Sequence, residues 1–307
     1  MLILNSVLPV FGIIALGSFL HHYKFTSDQF LRTSDKLIYF IFFPVMLFWK
    51  IGAPAPGTIV DWAALWAVLT AVFLTFLAGL LYVKLASVPR GQVGSFIQCC
   101  FRFNSYVGMA VILNVMGEEG VRQFSVMISI IIPFINLLCV STLIWNSDRE
   151  YSGREKYIVT LKAIASNPLI LACVLGILYA QLHTPFPVFL RNTFQLLSYV
   201  ALPMALISIG GALTLSKVKN HFSASLAASV LKLLVLPLIG YGLLRLFGVT
   251  GVSLEVTMIF FMLPTSTAAY VLSSQLGSDL DLASAAIVLS TLLSFVSLSA
   301  AMQIFLS

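Results

Sequence analysis

The sequence predicts an all-α polytopic membrane protein: ten transmembrane helices in two inverted five-helix repeats, with broken, crossing helices four and nine. Three observations lead there. Of 307 residues, 60% are hydrophobic and only 9% charged, whereas a soluble domain carries about 25% charged residues. The apolar runs are long and continuous, with a mean hydropathy of +1.02, too long for barrel strands. Residues of unlike type also recur at one nearly constant offset, described below.

A helix needs ~20 apolar residues to span a bilayer. Spans are predicted at 2–21, 35–52, 62–85, 92–115, 122–145, 163–182, 192–214, 222–247, 254–275 and 281–305. Turn signals separate them: Ala53-Pro54-Ala55-Pro56-Gly57, Val88-Pro89-Arg90-Gly91 and Thr184-Pro185-Phe186-Pro187. The chain enters apolar sequence at Leu2 with no basic n-region or small-residue cleavage site, so the first span is expected to be retained.

Charge sets the predicted orientation. The loops after spans one, three, five, seven and nine hold Lys24, Arg32, Lys36, Lys84, Arg90, Arg149, Arg154, Lys156, Lys162, Lys217 and Lys219. The opposite side holds Lys50, Arg122, Arg191 and Arg245. The richer side is predicted to be cytoplasmic, which puts both termini outside. The formal net charge of +6 is no nucleic-acid signal, because the basic residues form no stripe and are not interleaved with aromatics. Cys99, Cys100, Cys139 and Cys173 sit in apolar segments and read as buried free thiols rather than metal ligands.

The repeat follows from pairing residues. At an offset of 159, Phe30-Leu31-Arg32 falls on Phe189-Leu190-Arg191, Leu37 on Leu196, Pro44 on Pro203, and Gly52-Ala53 on Gly211-Ala212. At 160, Phe101 falls on Phe261, Val111 on Val271 and Gly117 on Gly277. Five spans per half is an odd number, so the second half enters from the other side: an inverted repeat, as in many secondary transporters. The predicted organisation is 1–147 for the first repeat, 148–161 for a cytoplasmic linker and 162–307 for the second repeat.

Helix interruptions mark candidate chemistry. Pro44 and Pro203 lie among apolar neighbours and read as kinks in scaffold helices. Spans four and nine carry polar clusters at mid-span, Arg102-Phe103-Asn104-Ser105-Tyr106 and Pro264-Thr265-Ser266-Thr267, and Asn104 pairs with Pro264 in the repeat. Proline removes an amide and breaks its helix, and asparagine caps a following one. Irregular backbone at this depth is tolerated only inside protein or beside a watery cavity. Two broken helices are therefore expected to cross, with half-helices starting near Ser105 and Thr265 aiming their positive ends into a site.

Arg102, about 16 Å along span four at 1.5 Å per residue, and Lys232, in span eight, are cations at mid-span, and the acidic residues all fall in loops or near span ends. Two readings stand: a site built for an anion, or a Lys232 bonded to carbonyls with an Arg102 that braces the broken helix. Asn136, in span five, is a further candidate contact, while Ser290, Thr291, Ser294 and Ser297 read as packing hydroxyls. The substrate-binding set is Arg102, Asn104, Ser105, Tyr106, Asn136, Lys232, Pro264, Thr265, Ser266 and Thr267. No enzyme signature is present, and no cofactor or metal is expected.

The stretches Arg102-Phe103-Asn104-Ser105-Tyr106-Val107-Gly108 and Pro264-Thr265-Ser266-Thr267-Ala268-Ala269-Tyr270-Val271-Leu272, with the opening Leu8-Pro9-Val10-Phe11-Gly12, resemble the bacterial branch of the auxin efflux carrier family. The resemblance implies a scaffold of helices one, two, six and seven holding a transport domain of helices three to five and eight to ten. It also implies a homodimer in the inner membrane and elevator-type alternating access. Plant auxin exporters of this family have proline at both crossings; here Asn104 stands at the first. Bacterial relatives are associated with malonate and other organic acids. The expected function is secondary transport of small organic anions, carboxylates of auxin-like or dicarboxylate type, with membrane lipid as surroundings. The alternatives are a passive channel, a membrane-embedded sensor and an intramembrane enzyme.

Overall fold

Hydrocarbon offers the backbone no hydrogen bonds, so a long apolar run folds as a helix that satisfies its own amides. The computed structural model describes residues 2–53, 61–146, 153–182, 184–211 and 219–305, and among these residues every regular element is helical. In order they are α1 (Leu2–His22), α2 (Asp28–Leu37), α3 (Phe43–Gly52), α4 (Trp62–Leu85), α5 (Arg90–Phe101), α6 (Ser105–Trp145) and α7 (Gly153–Ala165). There follow α8 (Pro168–Ala180), α9 (Val188–Gly211), α10 (Phe222–Val230), α11 (Leu236–Leu246), α12 (Gly251–Phe261), α13 (Ala268–Leu276) and α14 (Leu280–Phe305). Trp62–Leu85, Arg90–Trp145, Val188–Gly211, Phe222–Leu246 and Leu280–Phe305 are long and apolar enough to cross a membrane. Leu8–His22, Pro168–Ala180 and Gly251–Phe261 are shorter apolar helices. The predicted turn at 54–57, the start of the predicted linker at 148–152, the Ala212 repeat match and the basic residues Arg149 and Lys217 lie outside the described residues.

Several boundaries differ from the sequence reading, each for a local reason. The helix predicted from 35 begins at Asp28, where the Ser27 hydroxyl accepts a bond from the Phe30 amide at 3.2 Å. It reaches α3 through a π turn at Ile38–Phe42, whose wider loop lets the Phe43 amide bond the Ile38 carbonyl. Pro44 lies just beyond and lacks an amide, so the π turn absorbs the misfit. The same device recurs at Leu231–Val235, ahead of Pro237. Pro203, by contrast, sits inside an unbroken α9.

The gap predicted after span four shrinks to one residue. Gly117 adopts φ 63°, ψ −153°, a region open to glycine and strained for other residues, and helix resumes directly after it. Helix α7 occupies 153–165, inside part of the predicted linker. The span predicted at 163–182 is broken at Asn167, whose Oδ1 accepts from the Leu169 and Ile170 amides at 3.0 and 3.3 Å and starts α8 with Pro168 in its first turn.

Contacts divide the chain into two compact units: residues 1–60, 109–133 and 165–213, and residues 61–108, 134–164 and 214–307. In the first, α1 packs on α9 and α3 on α8. The α1–α9 crossing is a backbone-to-backbone approach. A Cβ added to Gly210 would lie 1.8 Å from the Ile14 carbonyl oxygen, and one on Gly17 would lie 2.2 Å from that of Ile207. Without a hydrophobic drive between helices in lipid, such small-residue seams supply the packing. Phe48, Tyr179, Phe186 and Phe194 fill the space beside α3 and α8, with Tyr179 stacked on Phe186 at 4.1 Å between ring centroids.

In the second unit α4 packs on α5 and α11, and α10 on α14. Glycines again allow the close contacts. A Cβ on Gly240 would meet the Phe261 ring at 2.2 Å, and one on Gly94 the Leu143 side chain at 2.5 Å. This unit carries both helix interruptions that the sequence singled out.

Candidate functional site

The last four carbonyls of a helix have no partner within it, and a helix that ends inside a membrane protein must find partners for them elsewhere. Helix α5 ends at Phe101 and α6 starts at Ser105; α12 ends at Phe261 and α13 starts at Ala268. The two interruptions bond to each other. The Asn104 amide donates to the Pro264 carbonyl at 2.9 Å, and the Thr265 hydroxyl donates to the Cys99 carbonyl at 3.1 Å. Helix α14 supplies further partners: the Thr265 amide donates to the Ser290 hydroxyl at 3.1 Å, and the Ser297 hydroxyl to the Met262 carbonyl at 3.0 Å. Span-ten hydroxyls read as packing contacts thus serve the interrupted backbone.

Asn104 is wholly buried and caps α6: its Oδ1 accepts from the Tyr106 and Val107 amides at 3.1 and 3.2 Å. Ser266 does likewise for α13, its hydroxyl accepting from the Ala268 amide at 3.2 Å. The Tyr106, Val107 and Ala268 amides are therefore taken internally. Ser105, Tyr106 and Thr267 are half-buried at the same two starts.

The cations separate into different roles. Lys232, in the second π turn, is fully buried, and its Nζ donates to the Phe261 carbonyl at 3.0 Å. A positive charge there complements the negative end of α12, the carbonyl-binding alternative raised from the sequence. Arg102 is buried with its Nη2 on Asn136 Oδ1 at 2.9 Å. Among the described residues, the buried charged side chains are these two cations, and the ion pairs are His21–Asp28, Lys50–Glu118 and Arg122–Glu119.

Around the crossing, three buried donors among the described residues have no protein partner: Arg102 Nη1, Asn104 Nδ2 and Asn136 Nδ2. Both amide orientations are set by their oxygens, which accept from the α6 amides and from Arg102. Gln98, one turn before Arg102 on α5, was missed in the sequence. Its Nε2 donates to the Ala269 carbonyl at 3.1 Å and the Ser273 hydroxyl at 2.8 Å, while its buried Oε1 is unpaired. Its i, i+4 spacing to Arg102 was the available signal. Nearby, Ser95 bonds Ser273 at 2.8 Å and the Asp279 carbonyl at 2.7 Å, which fixes α5 against the start of α14. Among the described residues no group of three His, Cys, Asp or Glu side chains could hold a metal.

The structure thus brings Arg102, Asn104, Asn136, Pro264, Thr265 and Ser266 to one crossing, and seats Lys232 at the adjoining helix end. A family described as membrane transport protein has a model that matches residues 2–302. An uncharacterised transporter of Methanothermobacter thermautotrophicus is 24% identical over 96% of this chain and 95% of its own length. An uncharacterised transporter of Methanocaldococcus jannaschii is 22% identical over 95% of each chain. A candidate malonate transporter of Rhizobium meliloti is 25% identical over 95% of this chain and 92% of its own. With the match running nearly end to end over a helical membrane architecture, the chain belongs to the membrane transport protein family, that of the auxin efflux carriers, and is a transporter rather than an enzyme.

Proposed function

We propose that this transporter is a secondary carrier of small organic anions, above all carboxylates. The observation that carries the reading is the buried Arg102 guanidinium, which has no carboxylate partner and stands with unpaired donors on itself, Asn104 and Asn136. A buried cation without a counter-charge is costly. A carboxylate brings the missing charge and about four acceptor lone pairs. The Rhizobium relative named for malonate supports the same chemistry.

The proposed architecture is ten spans in two inverted repeats, forming a homodimer in the inner membrane with both termini outside. Helices three to five and eight to ten carry the substrate against a scaffold of helices one, two, six and seven. Supporting the repeat, the interruptions at Asn104 and Pro264 share the offset of Phe101 and Phe261.

Proteoliposomes containing the purified protein are expected to show saturable uptake or exchange of a small carboxylate. Transport of a neutral or cationic solute, with no anion carried from a broad panel, overturns the reading, and ionic currents without saturable counter-flow favour a pore. For orientation, an impermeant maleimide is expected to label Thr184→Cys and spare Arg154→Cys in intact cells; both positions are exposed. Labelling of Arg154→Cys from outside reverses the topology.

A further inference from the structure

We infer that Gln98 is a specificity-determining residue: its side-chain oxygen accepts a hydrogen bond from a donor on the substrate, beside the carboxylate that Arg102 holds. The inference rests on the carboxylate reading above and adds a second group to the ligand.

The placement follows from the register of α5 against α6. Gly94 meets Leu143, with a built Cβ 2.5 Å from the leucine side chain, and eight residues on, Arg102 meets Asn136 at 2.9 Å. Gly94 and Gln98, spaced i and i+4, share one face of α5, and Arg102 is the residue that caps its C-terminal end. Gln98 lies one turn before Arg102, about 6 Å along the helix axis at 1.5 Å per residue, with its amide nitrogen turned to α13.

The amide orientation leaves one assignment. Nε2 donates to the Ala269 carbonyl and the Ser273 hydroxyl, which commits both of its hydrogens to α13. Oε1 is then an acceptor, buried and unpaired, and an unpaired buried acceptor is costly. Around Arg102 the unpaired groups are thus donors, and one turn earlier on α5 the unpaired group is an acceptor. A simple monocarboxylate answers only the donors. A short acid with a hydroxyl, an amide N–H or a protonated second carboxyl answers both.

Two hydroxy acids, lactate and 3-hydroxypropionate, are to be compared with propionate by calorimetry on the purified full-length protein. At least one hydroxy acid is expected to bind at least about 5-fold more tightly than propionate, from one added hydrogen bond. Gln98→Met, which keeps length but drops the acceptor, is expected to bring the ratio to about one. The ratio is insensitive to a general loss of packing, which would weaken all three acids alike. A wild-type ratio of about one overturns the inference while leaving the carboxylate clamp in place, and needs no variant to be recovered. A ratio that persists in Gln98→Met also overturns it, since the donor is then read elsewhere. Absence of binding by all three acids overturns this inference, while the carboxylate reading is judged separately by the broad anion panel.

Discussion

Arg102→Gln is expected to weaken carboxylate binding about 10-fold to 150-fold, the equivalent of losing one charge-assisted hydrogen bond worth about 1.5–3 kcal/mol. Glutamine preserves a donor toward Asn136 Oδ1, so the fold should survive. What disappears is the charge and the free Nη1. Asn104→Ala should also weaken binding, with an added cost of about 1 kcal/mol in stability, because the cap on the Tyr106 and Val107 amides goes with it. Calorimetry on monodisperse variants separates the two effects when paired with a melting curve. Native affinity in both variants would show that the crossing is structural only and that the anion binds elsewhere.

The largest stability effect is expected from Gly210→Leu. Even a methyl group there would sit 1.8 Å from the Ile14 carbonyl oxygen, so the backbones of α1 and α9 would have to separate. Overpacking typically costs 1–3 kcal/mol, and here rigid backbone rather than a flexible side chain stands in the way. The expected result is loss of a monodisperse peak in size-exclusion chromatography. Gly12→Leu is the control, since nothing lies within 4 Å of a Cβ at that position. A well-behaved Gly210→Leu protein with a wild-type melting temperature would show that the α1–α9 seam tolerates separation.

The sequence made the helices and the two interruptions legible because both are local effects. Apolar run length gives the first, and the backbone chemistry of Asn104 and Pro264 gives the second. It did not reveal the π turns, which show only in the Leu236 amide on the Leu231 carbonyl and the Phe43 amide on that of Ile38. Lys232 could be recognised as a buried cation, yet its partner could not: the Phe261 carbonyl lies on another helix and is left open only because α12 stops there. Gln98 was passed over for a related reason. A glutamine in an apolar helix looks like a packing residue until its amide is found committed to α13 and its oxygen to nothing. Asn167 was hidden by apolar flanks, although Asn-Pro is a good helix start.

The bonds that close the interruptions have a mechanical consequence. Thr265 reaches α5, Lys232 reaches the end of α12, and Ser290 and Ser297 reach back from α14. Each joins backbone on one helix to a side chain on another, so the interruptions are cross-braced like a truss. Bending the truss would expose several buried polar groups at once, at about 1–3 kcal/mol for each left unpaired. The two interruptions are therefore stiff joints, held against bending by bonds from three neighbouring helices.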